Sequence, residues 1–392
     1  MIRTRLRLSA FAVAVTLWIP AILSAQSQVT IPPIDFSGVI YANYQYRTDV
    51  NGPPNFNKFD VERAYLTFRM PAGDRTSIRV TTDIFQQQNT NNAAFYAGWV
   101  VRLKYAYVQY NYITAGKPTD FSAAARFGLL HTVIIDHEEQ FWPRWIAQTD
   151  VEKAGLMSSA DAGVSTIMTL PNKFGEIYAA VTDGPGYSAR ETDRFKDPQV
   201  RLTITPLANS GVKMLNTWAI SPWYYKGDIA SKFVASAPPP VTDGPVGNGL
   251  QRDRWGVFTG IRDPRLTLGA HYVNFKGQSE LGLNTQVSPR VVVDTTGHIL
   301  SGFAIVKPLA LFDTTYSRFG VVARYDKVTT NTSTDAWYHF FVAGLIFDLS
   351  RRASVSFDYQ EQLPNTNTVV NGVTTLSTAP AKTYFFHVVA NF

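Results

Sequence analysis

Windows of about ten residues, in which apolar side chains alternate with small, polar or charged ones, recur along most of this chain. A strand turns successive side chains to opposite faces, so each window predicts a strand with one apolar face and one wet face. In 100–107 the spacing puts Val101, Leu103, Tyr105 and Tyr107 on one face, and Arg102, Lys104 and Ala106 on the other. Ile78, Val80, Thr82 and Ile84 oppose Arg79, Thr81 and Asp83 in the same way, and Val200, Leu202 and Ile204 oppose Arg201, Thr203 and Thr205. Phe319, Val321, Ala323 and Tyr325 oppose Arg318, Gly320, Arg324 and Asp326. Sixteen strands are predicted, at 34–46, 58–70, 75–85, 99–112, 123–131, 160–170, 174–182, 198–206, 212–225, 252–262, 265–275, 298–307, 316–327, 336–348, 353–361 and 381–392. Short turns such as 71–74, 171–173 and 262–265 come after the even strands and long polar loops after the odd ones, as in outer-membrane barrels, with both termini periplasmic. The loops 86–98, 226–251, 276–297 and 362–380 read as solvated surface.

Composition narrows the alternatives. Only 17% of the 392 residues are charged, against roughly a quarter in a soluble domain. There is no cysteine, which excludes disulfides, thiolate metal sites and cysteine nucleophiles. Residues 1–27 read as a signal peptide, with Arg3, Arg5 and Arg7 ahead of an apolar run from Leu8 to Leu23 that is too short to span a bilayer and is interrupted by Pro20. Removing those arginines lowers the formal charge from +6 to +3, and a nucleic-acid partner loses its support. Residues 28–392 are thus expected to be an exported all-β chain: a transmembrane antiparallel barrel in the bacterial outer membrane, in contact with its lipid.

Soluble sandwiches also alternate, but two features favour the membrane. Tyr41, Tyr44, Tyr46, Trp99, Tyr105, Tyr107, Trp337, Tyr338 and Tyr384 suit interfacial girdles at strand ends. Tyr384, Phe386, Val388, Ala390 and the terminal Phe392 form an apolar stripe that resembles the signal read by the barrel-assembly machinery during insertion.

Sixteen strands enclose an aqueous channel rather than a packed interior. The loop 131–159 carries Ile134, Ile135, Phe141, Trp142, Trp145 and Ile146, too many large apolar groups for a solvated loop. It is expected to fold inward as a constriction, bordered by His131, Asp136, His137, Glu138, Glu139 and Arg144. Pleat parity turns Arg63, Arg69, Arg79, Arg102, Lys104, Arg126, Arg201, Arg254, Arg318 and Arg324 inward, against Asp35, Asp83, Asp161, Glu176, Asp326 and Asp358. That balance predicts a porin passing small ions and solutes with a modest anion preference. Glu62 breaks the alternation, on the face of Ala64, Leu66 and Phe68, and marks a rim position or a bulge.

Enzymatic readings lack their residues. His137-Glu-Glu has Phe141 where a metalloprotease helix needs a second histidine, so no metal is assigned. His271 and His387 have no evident partner, no Gly-x-Ser-x-Gly appears, and no glycine-rich phosphate loop or cofactor is indicated. The competing reading is a closed barrel acting as adhesin, receptor or structural protein; inward arginines count against a carrier for hydrophobic solutes.

Several segments resemble the phosphate-selective porins of the porin O and porin P type. The run FDVERAYL from Phe59 to Leu66 is similar to that family's arginine-containing second strand, and Arg126-Phe-Gly128 to the strand leading into its constriction loop. Thr182 to Gly186, then Arg201 to Pro206, is similar to its mid-chain hairpin. The resemblance implies a sixteen-stranded homotrimeric porin with a basic inward loop that passes small anions. The chain departs from the family's Pro-Phe after the glycine, having Leu129 to Val133 there, and Asp136, Glu138 and Glu139 accompany Arg144 in the loop. Acidic groups at a constriction weaken phosphate binding.

Overall fold

A computed structural model describes residues 33–48, 55–87, 98–191, 193–229, 249–281, 291–312, 318–370, 373–377 and 381–392. Sixteen strands form its wall. They are β1 (Asp35–Arg47), β2 (Asn57–Pro71), β3 (Thr76–Gln87), β4 (Gly98–Ile113), β5 (Ser122–His131), β6 (Ala160–Thr169), β7 (Gly175–Thr182) and β8 (Asp197–Ile204). The second half comprises β9 (Ala219–Tyr225), β10 (Leu250–Arg262), β11 (Leu266–Leu281), β12 (Val291–Val306), β13 (Phe319–Asn331), β14 (Ala336–Asp348), β15 (Ala353–Val370) and β16 (Ala381–Asn391). Each pairs antiparallel with its chain neighbours, and β1 pairs with β16, so the sheet closes. Short pieces at Asp228–Ile229 and Val373–Ser377 extend the rim. No helix among the described residues is long and apolar enough to cross a membrane.

The predicted signal peptide lies in 1–32, outside the described residues, as does most of the loops 86–98 and 226–251. Four boundaries are corrected. Residues 212–218 do not begin β9, because 213–217 form a 3-10 turn. β11 and β12 run on to Leu281 and back from Val291, and β15 continues to Val370, so much of 276–297 and 362–380 is paired strand rather than loop. The stretches 291–297 and 362–370 are rich in Thr and Val, residue types that favour extended backbone.

The outer face is apolar, as the alternation predicts. Ile40, Val101, Leu103, Phe127, Leu300, Leu345 and Phe357 are exposed there, and Trp99, Tyr110, Trp255, Tyr272 and Tyr384 stand among them. A continuous apolar band of this kind suits hydrocarbon and not water. Two bulges shift the parity that the sequence reading assumed. Between β3 and β4 the register passes from Thr81–Tyr105 to Thr82–Leu103, skipping Lys104. Lys104 and Tyr105 therefore both point inward, and so does Tyr107; all three are buried, so neither tyrosine belongs to a lipid girdle. Tyr41 and Tyr338 also face the interior, the first edge-on to Tyr65 and the second packed on the core. Between β1 and β2 the register skips Glu62, which turns inward beside Arg63.

The seam is sealed by the C-terminal stripe. Tyr384 and Phe386 are exposed on the outer face. Phe392 exchanges backbone hydrogen bonds with Gly38, N to O at 3.0 and 2.9 Å, and its ring lies across the glycine. A Cβ on Gly38 would stand 2.3 Å from that ring. Gly38→Val is expected to displace Phe392 and destabilise the folded barrel by about 1–3 kcal/mol, read as a lower urea midpoint of its gel-mobility shift.

Candidate functional site

The chain leaves β5 after His131 and re-enters the wall at Ala160, which pairs with His131. β4 continues to Gly98 beyond its last pairing with β5, Ala106 to Leu129, so the loop departs below the rim and runs inside the barrel. It contains two one-turn helices, α1 (Ile135–Glu138) and α2 (Asp150–Lys153).

One side of this loop is a hydrophobic core. Val133, Ile134, Ile135, Trp142 and Val151 are completely buried among Phe258, Val273, Ile299, Phe303, Val322 and Phe340 of β10–β14. Each such side chain contributes about 1.5–3 kcal/mol when removed from water. The Trp142 indole N–H donates to Ala147 O at 2.7 Å, so the ring is buried without an unsatisfied donor. Polar wall residues then take up loop backbone groups. Arg324 donates to Gln148 O at 2.6 Å, Gln360 to Ile146 O at 2.9 Å, and Arg201 to Val133 O at 2.5 Å. Val133 N–H donates to Gln199 Oε1 at 2.9 Å.

Arg201 and Arg324 thus face inward as parity predicts, yet they are covered by the loop instead of lining open water. Arg324 is 1% exposed and lies forked against Asp326 at 2.7 and 2.9 Å; Arg201 reaches Glu176 at 2.5 Å. Arg254 is also buried, over the Tyr225 ring. Arg69 sits at the exposed end of its strand, 3.7 Å from Asp35, and Arg318 is exposed just before β13.

The loop's other side is acidic and faces the remaining basic residues. Asp83 receives Arg63 and Arg102 at 3.0 Å each, with the Tyr187 hydroxyl also at 3.0 Å. Arg79 and Arg126 approach the two ring nitrogens of His131 at 3.1 and 3.3 Å, and Lys104 lies over the Tyr65 ring. Opposite stand Asp136, whose side chain is 42% exposed, with Glu139 and Glu152 partly so. Burial alone would raise the Asp136 carboxyl; His131, Arg79 and Lys104 outweigh it and hold the group below its ordinary value. At Glu139 burial wins and the carboxyl is raised despite Lys104 and Arg144. His137, buried and bonded to Ser221 at 2.9 Å, is pushed well below the usual histidine range by burial and then by Arg201.

Arg144 holds the acidic side together. Its guanidinium lies 3.1 Å from Glu152, 3.2 Å from Glu62 and 3.5 Å from Glu139. The inward bulge at Glu62 therefore supplies a loop anchor, one of the two outcomes its broken alternation predicted. Beside the loop, a cavity of about 330 Å³ is lined by Arg63, Arg102, Arg252, Glu152, Asp161 and Tyr187.

The sequence reading missed Asp150, Glu152 and Tyr187, and left His271 and His387 without partners. His387 lies 3.4 Å from Asp358. His271 lies 2.9 Å from Asp150 and 3.6 Å from Glu138, and one ligand-type atom from each of these three residues falls within 4.8 Å of the others. These partners are distant in sequence, and no local pattern announces them.

No known family and no curated protein matches the sequence. Among solved structures the chain is similar to the outer membrane channel DcaP of Acinetobacter baumannii, with a TM-score of 0.61 and 10% identity over 93% of this chain and 99% of that one. It is similar to an anion-selective porin from Comamonas acidovorans, TM-score 0.58 and 10% identity over 92% and 100%. It is also similar to a trimer form of OmpT, an outer membrane protein of Vibrio cholerae, TM-score 0.55 and 11% identity over 92% and 99%. The chain therefore has the fold of an outer-membrane β-barrel.

Arg144→Met leaves three carboxylates facing one another without their cation. The loop is expected to lose about 3–5 kcal/mol of its attachment, read as accelerated amide exchange across 139–152 while strand protection is kept.

Proposed function

We propose that the chain is an outer-membrane porin, a water-filled channel for passive diffusion of small hydrophilic solutes with a modest preference for anions. The observation that carries this reading is the split interior. An apolar loop face is sealed to β10–β14, whereas the opposite loop face and the wall of β2–β5 are lined by charged groups that keep contact with solvent. Ions passing between them meet Arg63, Arg79, Arg102 and Arg126 on one side, and Asp136, Glu139 and Glu152 on the other. Opposed rows of charge orient a polar solute, and the more numerous cations raise the local concentration of anions. The acidic loop face is the reason to read general anion preference rather than phosphate selectivity.

The trimer form of the similar Vibrio cholerae protein supports a homotrimer, with the exposed apolar outer face available for contacts between copies. The outward stripe of Tyr384, Phe386 and Val388 ending at Phe392 supports recognition by the barrel-assembly machinery.

The test is the reversal potential of purified protein in a planar bilayer under a salt gradient. Stepwise conductance with a potential favouring chloride is expected, and Arg79→Glu with Arg126→Glu shifts it toward potassium without unfolding the barrel, since lumen positions tune selectivity. Absence of conductance from folded protein would overturn the reading in favour of a closed barrel.

A further inference from the structure

The segment between β7 and β8 folds into the lumen. Gly184 and Gly186 take positive φ, +109° and +82°, and a Cβ on Gly186 would stand 2.5 Å from Ser158, so glycine is what lets the segment lie against the inward loop. Tyr187 N–H donates to Ala160 O at 2.9 Å, and the side chain then reaches β3 and β4, its hydroxyl 3.0 Å from Asp83 and 2.9 Å from Arg102. This crossing forms one side of the cavity of about 330 Å³ beside the loop. The lining is mostly polar, and the size suits a small metabolite.

The charges around this cavity do not balance where they stand. Arg63 and Arg102 both bond Asp83, two guanidiniums to one carboxylate. Arg63 Nε is buried with no acceptor among the described residues. Arg102 gives Nε to Asp83 and Nη2 to Tyr187, which leaves Nη1 without an acceptor among those residues. The Phe85 and Tyr187 rings, at 4.0 and 4.3 Å, hold this guanidinium in place. Donors fixed in this way lose little freedom when a ligand arrives. Arg252 is matched by Asp197 at 3.4 Å. On the acidic side, Asp161 has no ion-pair partner among the described residues and is held by the N–H groups of Ala162 and Gly184 at 2.8 and 2.6 Å. Glu152 shares the single guanidinium of Arg144 with Glu62 and Glu139.

An anion entering the cavity is drawn to the arginines and repelled by Asp161 and Glu152; a cation meets the reverse. A molecule that carries both charges satisfies both sides at once. We propose that the cavity binds a zwitterionic solute, an α-amino acid with a small polar side chain, whose carboxylate meets Arg63 and Arg102 and whose ammonium meets Asp161 and Glu152. The hydroxyls of Ser158 and Tyr187 on the lining serve the polar side chain. The assignment deepens the porin reading and rests on it for the solute's route, making the cavity a saturable stop within the channel.

The test is binding to the folded barrel in detergent micelles, where no transport is needed. Saturation-transfer NMR titrations compare L-serine with two analogues that each lack one charge: 3-hydroxypropanoate, without the ammonium, and ethanolamine, without the carboxylate. L-serine is expected to saturate and to bind at least about tenfold more tightly than either. Arg63→Gln keeps Arg102 on Asp83 but removes the surplus cation, and is expected to weaken L-serine about tenfold. Asp161→Asn is expected to abolish the advantage of L-serine over 3-hydroxypropanoate. L-serine that does not saturate overturns the proposal, and so does equal binding of either analogue, which would leave a plain anion or cation site. Both results are read on the unmodified protein and stand even if the variants fail to fold. A barrel that binds L-serine as expected but does not conduct supports the site while removing the porin reading; one that conducts without binding keeps that reading and removes the site.

Discussion

A strand in lipid must give every backbone polar group a partner within the sheet, and the architecture of this protein is a response to that demand. Closure of β1 on β16 removes the free edge, and sixteen strands are the result. Closure at that size leaves an interior too wide for wall side chains to fill. The loop that leaves β5 after His131 occupies part of it, and its sequence is divided accordingly. Ile134, Ile135, Trp142 and Val151 complete an apolar core against one wall, while Asp136, Glu139 and Glu152 look across at the other.

This division explains why the inward basic residues have two destinies. Arg201 and Arg324 were drawn under the loop, where their guanidiniums bond loop carbonyls and neighbouring acids. Burying such a cation is tolerable only because every arm of it finds an acceptor. Arg63, Arg79, Arg102 and Arg126 stayed on the uncovered side. Their partners, Asp83 and His131, leave part of each guanidinium facing the interior space.

Much of the fold was legible because period-two alternation reports both strand and face, and because turn chemistry separates the short connections from the long. The inward course of 132–159 could be read from its surplus of large apolar groups. The two bulges were harder. An inserted residue leaves local composition unchanged while reversing the parity of every later position in the strand, so Lys104 hid the inward turn of Tyr105 and Tyr107; at Glu62 the same event showed because a charge landed on the apolar face. Least legible was the contact of His271 with Asp150, since the two are 121 residues apart and only barrel closure brings them together. The helical spacing around His137 and Glu138 is the wrong geometry for a contact completed from β11 of the wall.

The placement of most of the loop core against β10–β14 has an evolutionary reading. Most residues that keep the loop seated lie on the wall away from those that meet a passing solute, Glu62 with its Arg144 contact being the exception. Substitutions distant from one another and without common partners add nearly independently. The uncovered wall can therefore exchange its charges, and with them the solutes it favours, while the covered wall preserves the shape of the barrel: one half of the circumference is free to diverge because the other half is not.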